Sequence, residues 1–163
     1  MTSVFFPGPR PQELAQGDLL ENVEFFRPKR GSYKDNVWAP GLVVSHSCDF
    51  TKFRSDEAKG RQGLDLFPLL VAPVLKGSAI PDQGVVGHAK AGRVARYFHL
   101  PADEPLEEDH FVDFWFMQPA AVFELLDIPR VASMSDAWQR RLQRRIDRFF
   151  SWEDRKETLG PLP

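Results

Sequence analysis

Cys48 is the only cysteine in this chain, so no disulfide can close within it and an oxidising compartment forms no part of its design. No stretch approaches the roughly 18 consecutive apolar residues that a membrane-spanning helix needs. The longest candidate, Leu64 to Leu75, is interrupted by Asp65, Pro68 and Pro73. The opening residues, MTSVFFPGPRPQEL, lack a basic start followed by a sustained apolar run and do not read as a signal peptide. These absences set the expectation of a cytoplasmic protein with no membrane partner. Net charge is small as well, at -2 over 163 residues, so no global field draws the chain to nucleic acid or anionic lipid. Any electrostatic partner has to be met by a local patch. The sequence also lacks internal repeats, low-complexity tracts, CxxC and HxxxH spacings, and a GxxxxGK(S/T) phosphate loop, so neither a metal nor a cofactor is expected.

What the chain does contain is a globular balance, with 42% apolar residues, 27% charged residues and 14 phenylalanines. The length suits one domain spanning 1–163. Pro7, Pro9 and Pro11 keep residues 1–15 extended. A β-rich body follows over 16–130. Its first strand is expected at Gln16–Phe26, with a charged turn at Arg27–Asp35. A second strand at Val37–Ser45 bends near Pro40-Gly41, and its Gly41-Leu42-Val43-Val44 run is apolar on both faces, as at a sheet centre. Pro68 and Pro73 restrict Leu64–Val74 to an edge strand or two short ones. Glycines at 77, 84, 87 and 92 mark a long connection with one helical turn near Val85–Ala91. Val94–Leu100 and His110–Met117 read as strands on either side of a solvated acidic loop, Asp103–Asp109. Ala120–Leu126 fits a strand or a short helix.

The clearest element is a helix over 133–152, capped by Ser133 or Ser135 and followed by a tail at 153–163. Trp138, Leu142, Ile146, Phe149 and Phe150 recur at helical steps and define a buried stripe. Arg140, Arg141, Arg144, Arg145 and Arg148 occupy the opposite face. Strands followed by one long amphipathic helix predict an α+β fold, built on a bent antiparallel sheet or an SH3-like small barrel.

Gly17-Asp18-Leu19-Leu20 followed by Gly41-Leu42-Val43-Val44-Ser45 resembles the opening strands of the PemK/MazF-like small barrels. The wider pattern of GDLLENVEF, VVSHSCDF, YFHLP and FVDF before a helix resembles an uncharacterised family of bacterial and phage proteins. The barrel resemblance implies an SH3-like fold and toxin-type endoribonuclease activity using an arginine of the early hairpin loop, here Arg27 or Arg30. Those toxins carry a threonine after a later strand. None follows Leu69–Pro73, so the resemblance implies a degenerate form of that enzyme.

Three groups of residues are candidate sites. His46, Cys48 and Asp49 lie where an apolar strand turns polar. His46 and Cys48 project to one side of an extended chain, as a Cys/His-centred hydrolase would need. The three could alternatively ligate a metal with His99 or His110. Their structural reading, a small buried thiol and a turn-capping carboxylate, is the more common one. Asp113 stands among Phe111, Val112, Phe114, Trp115 and Phe116. It is either a catalytic acid or, as ion pairs at structural sites suggest, the partner of Arg96 or Arg130. The helix arginines form the candidate binding face, since planar guanidinium groups suit carboxylate or phosphate, and Trp138 or Trp152 could stack on a base. The functional expectation is a non-catalytic module that docks a protein partner. Nucleic-acid binding through the arginines and Cys/His or MazF-like hydrolysis are the alternatives.

Overall fold

The alternation Leu42-Val43-Val44 is shared between two cores, and the architecture follows from that double burial. The computed structural model describes residues 3–6, 13–29, 32–46, 55, 58–60, 68–80 and 82–151. Strands β1 (Asp18–Lys29), β2 (Ser32–Val43), β3 (Leu69–Lys76), β4 (Tyr97–Leu100), β5 (His110–Asp113), β6 (Gln118–Ala120) and β7 (Arg130–Ser133) form one antiparallel sheet. Its order is β4-β5-β3-β2-β1-β7, and β6 joins β3 off that path. Helices α1 (Gln83–Lys90), α2 (Val122–Leu126) and α3 (Asp136–Phe150) complete an α+β fold.

The sheet is open. Strands β4 and β7 end it without pairing with each other, so the SH3-like barrel implied by the PemK/MazF resemblance is not formed. The β7 edge is covered instead by the extended segment 3–6. Phe6 N–H donates to the Ser133 carbonyl at 2.9 Å, Ser135 N–H donates to the Val4 carbonyl at 2.8 Å, and Phe5 bridges Met134. A short added segment thereby shields an edge that closure would have removed.

Leu42 and Val44 lie in a core with Phe98, Val112 and Leu142, while Val43 faces the other core with Val23, Phe25 and Leu125. In β1, Leu20 and Val23 both belong to the second core although their spacing is odd. A bulge between them restores the parity: Leu20 pairs with Gly41, but Val23 pairs with Ala39. Gly41 makes this approach feasible, because a Cβ there would lie 2.6 Å from Val23 Cγ2 and 2.9 Å from Val71 Cγ1. The charged segment 27–35, expected as a loop, continues both strands until Lys29 pairs with Ser32.

Strand β3 departs most from the sequence expectation. Far from being an edge, it pairs with β2 through Val71–Pro73, with β6 through Leu69–Val71 and with β5 through Val74–Lys76. Pro73 sits between the β6 and β5 ladders, where that side of the strand is paired with no described strand and a missing N–H breaks no ladder bond. The expected strand His110–Met117 stops at Asp113 and continues as a 3-10 turn, Phe114–Phe116. The Asp113 carboxylate accepts from Trp115 N–H at 3.1 Å, which drives this change of course. The acidic loop is also less solvated than expected. Ser3 Oγ and then Val4 N–H donate to Asp103 and hold its carboxyl below the ordinary value.

Helix α3 spans 15 residues and lays Leu142 and Ile146 into the core beside Phe98, Val112 and Phe114. Trp138 meets Phe98 edge-on at 6.0 Å, and Phe149 meets Phe114 at 5.4 Å. Phe150, assigned to the stripe, is 54% exposed, since its position has rotated past the sheet. Ser135 occupies the N-cap but makes no side-chain cap; its hydroxyl donates to the Ser3 carbonyl instead. Ser133 belongs to β7. Trp152 and the tail 153–163 lie outside the described residues. No helix among the described residues is long and apolar enough to cross a membrane.

Leu142 is fully buried, so Leu142→Ala should lower unfolding free energy by about 2–5 kcal/mol in chemical denaturation. Arg144→Ala, on the exposed side of the same helix, should change it by less than about 0.5 kcal/mol.

Candidate anion-binding groove

Three- and four-residue steps put Arg141, Arg144, Arg145 and Arg148 on one side of α3. They flank the buried stripe and do not oppose it. The side turned away from them carries Gln139, Gln143 and Asp147. There Gln139 Nε2 donates to the Gln16 carbonyl, and Gln143 accepts from Gln16 and donates to Asp147. Arg140, one turn before Arg144, is exposed but does not line the groove described below. Four of the five expected arginines thus form one wall, and the sheet and Gln16 meet other sides of the helix.

That wall faces the end of α1. An open groove of about 430 Å³ lies between them, lined by Arg141, Arg144, Arg145 and Arg148 on one side and by Lys90, Gly92 and His99 on the other, with Phe98 and Trp138 beneath. Gly92 turns the chain at φ +72 just beyond α1. Both terminal nitrogens of Arg145 donate to its carbonyl at 3.0 Å, so a cation sits at the negative end of that helix. A Cβ on residue 92 would approach Arg145 Nη2 to 2.7 Å. Arg141 lies over the Trp138 ring, its Cζ 4.7 Å from the centroid. Arg144 and Arg148 are exposed.

Asp109 organises the opposite wall. Its carboxylate takes the Lys90 ammonium and the Ala102 N–H, with His99 Nε2 3.3 Å away. The Lys90 contact, foremost, holds the Asp109 carboxyl at about 2. His99 stacks on Phe111 with ring centroids 5.1 Å apart, and its Nε2 is buried and out of hydrogen-bonding alignment. Glu108 of the same loop meets Lys76 at 2.7 Å.

No protein-family model matches the chain, and no curated protein matches it. The residues of the groove therefore speak through their own chemistry. The other sequence candidates are placed elsewhere. His46 is exposed just beyond β2, while Cys48 and Asp49 lie outside the described residues, as does Arg30. His110 is buried, with Nδ1 2.7 Å from the Glu108 carbonyl oxygen, and His99 belongs to the groove. Among the described residues no three His, Cys, Asp or Glu side chains gather as metal ligands.

Asp113 is fully buried and grips Arg96 through two parallel bonds, Nε to Oδ1 at 2.8 Å and Nη2 to Oδ2 at 2.6 Å. The Arg96 guanidinium is raised above its ordinary pKa chiefly by those bonds, and it packs over Tyr97 and Trp115. Arg130, the other arginine considered for Asp113, pairs with buried Asp18 at 2.9 Å. Both acids are therefore held in buried ion pairs. Lys90, Gly92 and His99 were not singled out as one site from sequence, since nothing local links residues about fifty positions from α3.

Two outcomes follow. Asp113→Ala strands a partly buried guanidinium and should cost about 2–4 kcal/mol by denaturant titration, discounted for the solvent that reaches Arg96. Asp109 is depressed from 3.8 to about 2. Its contribution to stability is present above pH 3.8 and is lost as pH falls toward 2, so thermal melts of wild type and Asp109→Asn should converge across that window.

Proposed function

We propose that this protein is a non-catalytic binding module that docks a partner of dense negative charge in the α1–α3 groove. The carrying observation is the convergence of four guanidinium groups and Lys90 around one concave surface in a chain whose net charge is -2. Acidic residues outnumber basic ones over the whole sequence, so this concentration of cations is a local departure that charge balance does not require. The described lining offers cations, an imidazole and aromatic rings but no hydroxyl or thiol, which suits recognition better than group transfer.

Arg145 and Lys90 are anchored by Gly92 and Asp109, so part of the positive wall is preorganised before a ligand arrives. Acidic segments of a protein partner and phosphate-bearing chains both supply closely spaced anions of the kind such a wall attracts. A cytoplasmic location belongs to the same proposal and rests on the solitary cysteine.

Arg144 and Arg140 provide a matched test, being one helical turn apart with the same charge, but only Arg144 lines the groove. In titrations with a sulfated polysaccharide, Arg144→Glu should weaken binding by about tenfold and Arg140→Glu by much less. Equal losses would reduce the attraction to net charge and remove the groove from the account, as would a wild-type protein that fails to bind.

A further inference from the structure

We propose that the groove takes single-stranded nucleic acid, with phosphates on Arg144 and Arg148 and a base laid on the guanidinium plane of Arg141. This rests on the polyanion reading of the groove and names which polyanion it holds. Arg141 is the residue that separates a nucleotide from other anions. Its guanidinium lies 4.7 Å from the Trp138 centroid, and Phe98 braces that indole in an edge-to-face contact at 6.0 Å. Arg141 is itself exposed. The guanidinium lies over the indole and also lines the groove, so it offers there a planar cation on which a nucleobase can stack. Carboxylates and sulfates carry no aromatic ring to spread over that surface and draw on it chiefly through its charge.

Spacing and size agree with this choice. Arg144 and Arg148 are one turn apart, about 6 Å along the helix axis, a step comparable to that between successive phosphates of an extended strand. Arg145, fixed on the Gly92 carbonyl, keeps positive charge between them and the far wall. A groove of about 430 Å³ accommodates a ligand of nucleotide size. A double helix keeps its bases stacked inside and could offer only its phosphates. Combining a cationic groove with an aromatic stack is how proteins hold single strands with little regard to sequence.

The test is a fluorescence-anisotropy titration of the full chain with a labelled oligouridylate. Unlabelled oligouridylate, a duplex of equal length, inorganic polyphosphate and poly-L-glutamate serve as competitors. The single strand should compete about tenfold better than any of the others. Its affinity should fall with salt at a logarithmic slope of about -1.5 to -2 for two or three neutralised phosphates. Arg141→Lys keeps the charge and loses the plane, so it should abolish most of the advantage over polyphosphate. Polyphosphate, duplex or polyglutamate competing as well as the single strand in the wild-type protein would overturn the nucleic-acid assignment and leave the polyanion groove standing. Failure of every probe to bind would overturn both.

Discussion

One strand that changes partners along its length holds this protein together. Leu69–Lys76 pairs with β2 throughout its middle, but on its other side it hands over from β6 to β5 at Pro73. A residue with a free N–H at that handover would carry an unmet donor in the interior, and proline removes the donor outright. From this point the β5–β4 pair extends the sheet, and its two faces acquire different covers. Val112, Phe98 and Leu100 face the core beneath α3, while Tyr97 and Phe111 pack with Ile80 and Ala89 of the α1 region. The groove lies where these covers meet beside β4, so it is a consequence of how the sheet is extended.

Charge is sorted by burial. Asp18 and Asp113 are inside the protein, and each is answered by an arginine, Arg130 and Arg96 respectively. Such pairs gain little net free energy over apolar packing, but they penalise any arrangement that leaves one member alone. The α3 arginines follow a different rule. Arg141 and Arg144 remain exposed, Arg141 lying over the Trp138 ring, while Arg145 donates to the Gly92 backbone carbonyl. The Asp109 carboxylate beside this region is occupied with Lys90, with His99 Nε2 3.3 Å away.

Much of the framework was legible in the residues themselves. The period of Trp138, Leu142 and Ile146 determines a helix and its buried side, because 3.6-residue geometry leaves little choice once three large apolar groups recur at that step. The alternation at Leu42–Val44 and the apolar run beginning at His110 likewise require strands covered on two faces. Asp113 was readable as a paired carboxylate, since burial among aromatics excludes a solitary charge.

What the tertiary structure alone decided are the relations among distant segments. The place of β3 could not be read, because a proline demotes a strand only if its missing donor faces a partner, and pairing on each side is a non-local fact. Closure into a barrel was undetermined for the same reason: strand composition sets what each face buries, not whether the outermost strands meet. The choice of Arg96 over Arg130 for Asp113, and the gathering of Lys90, His99 and the α3 arginines around one groove, depend on chain segments far apart in sequence, 112 residues in the Arg130–Asp18 pair. Local periodicity specifies which side of an element is buried, but long-range packing determines what stands across from the side left exposed.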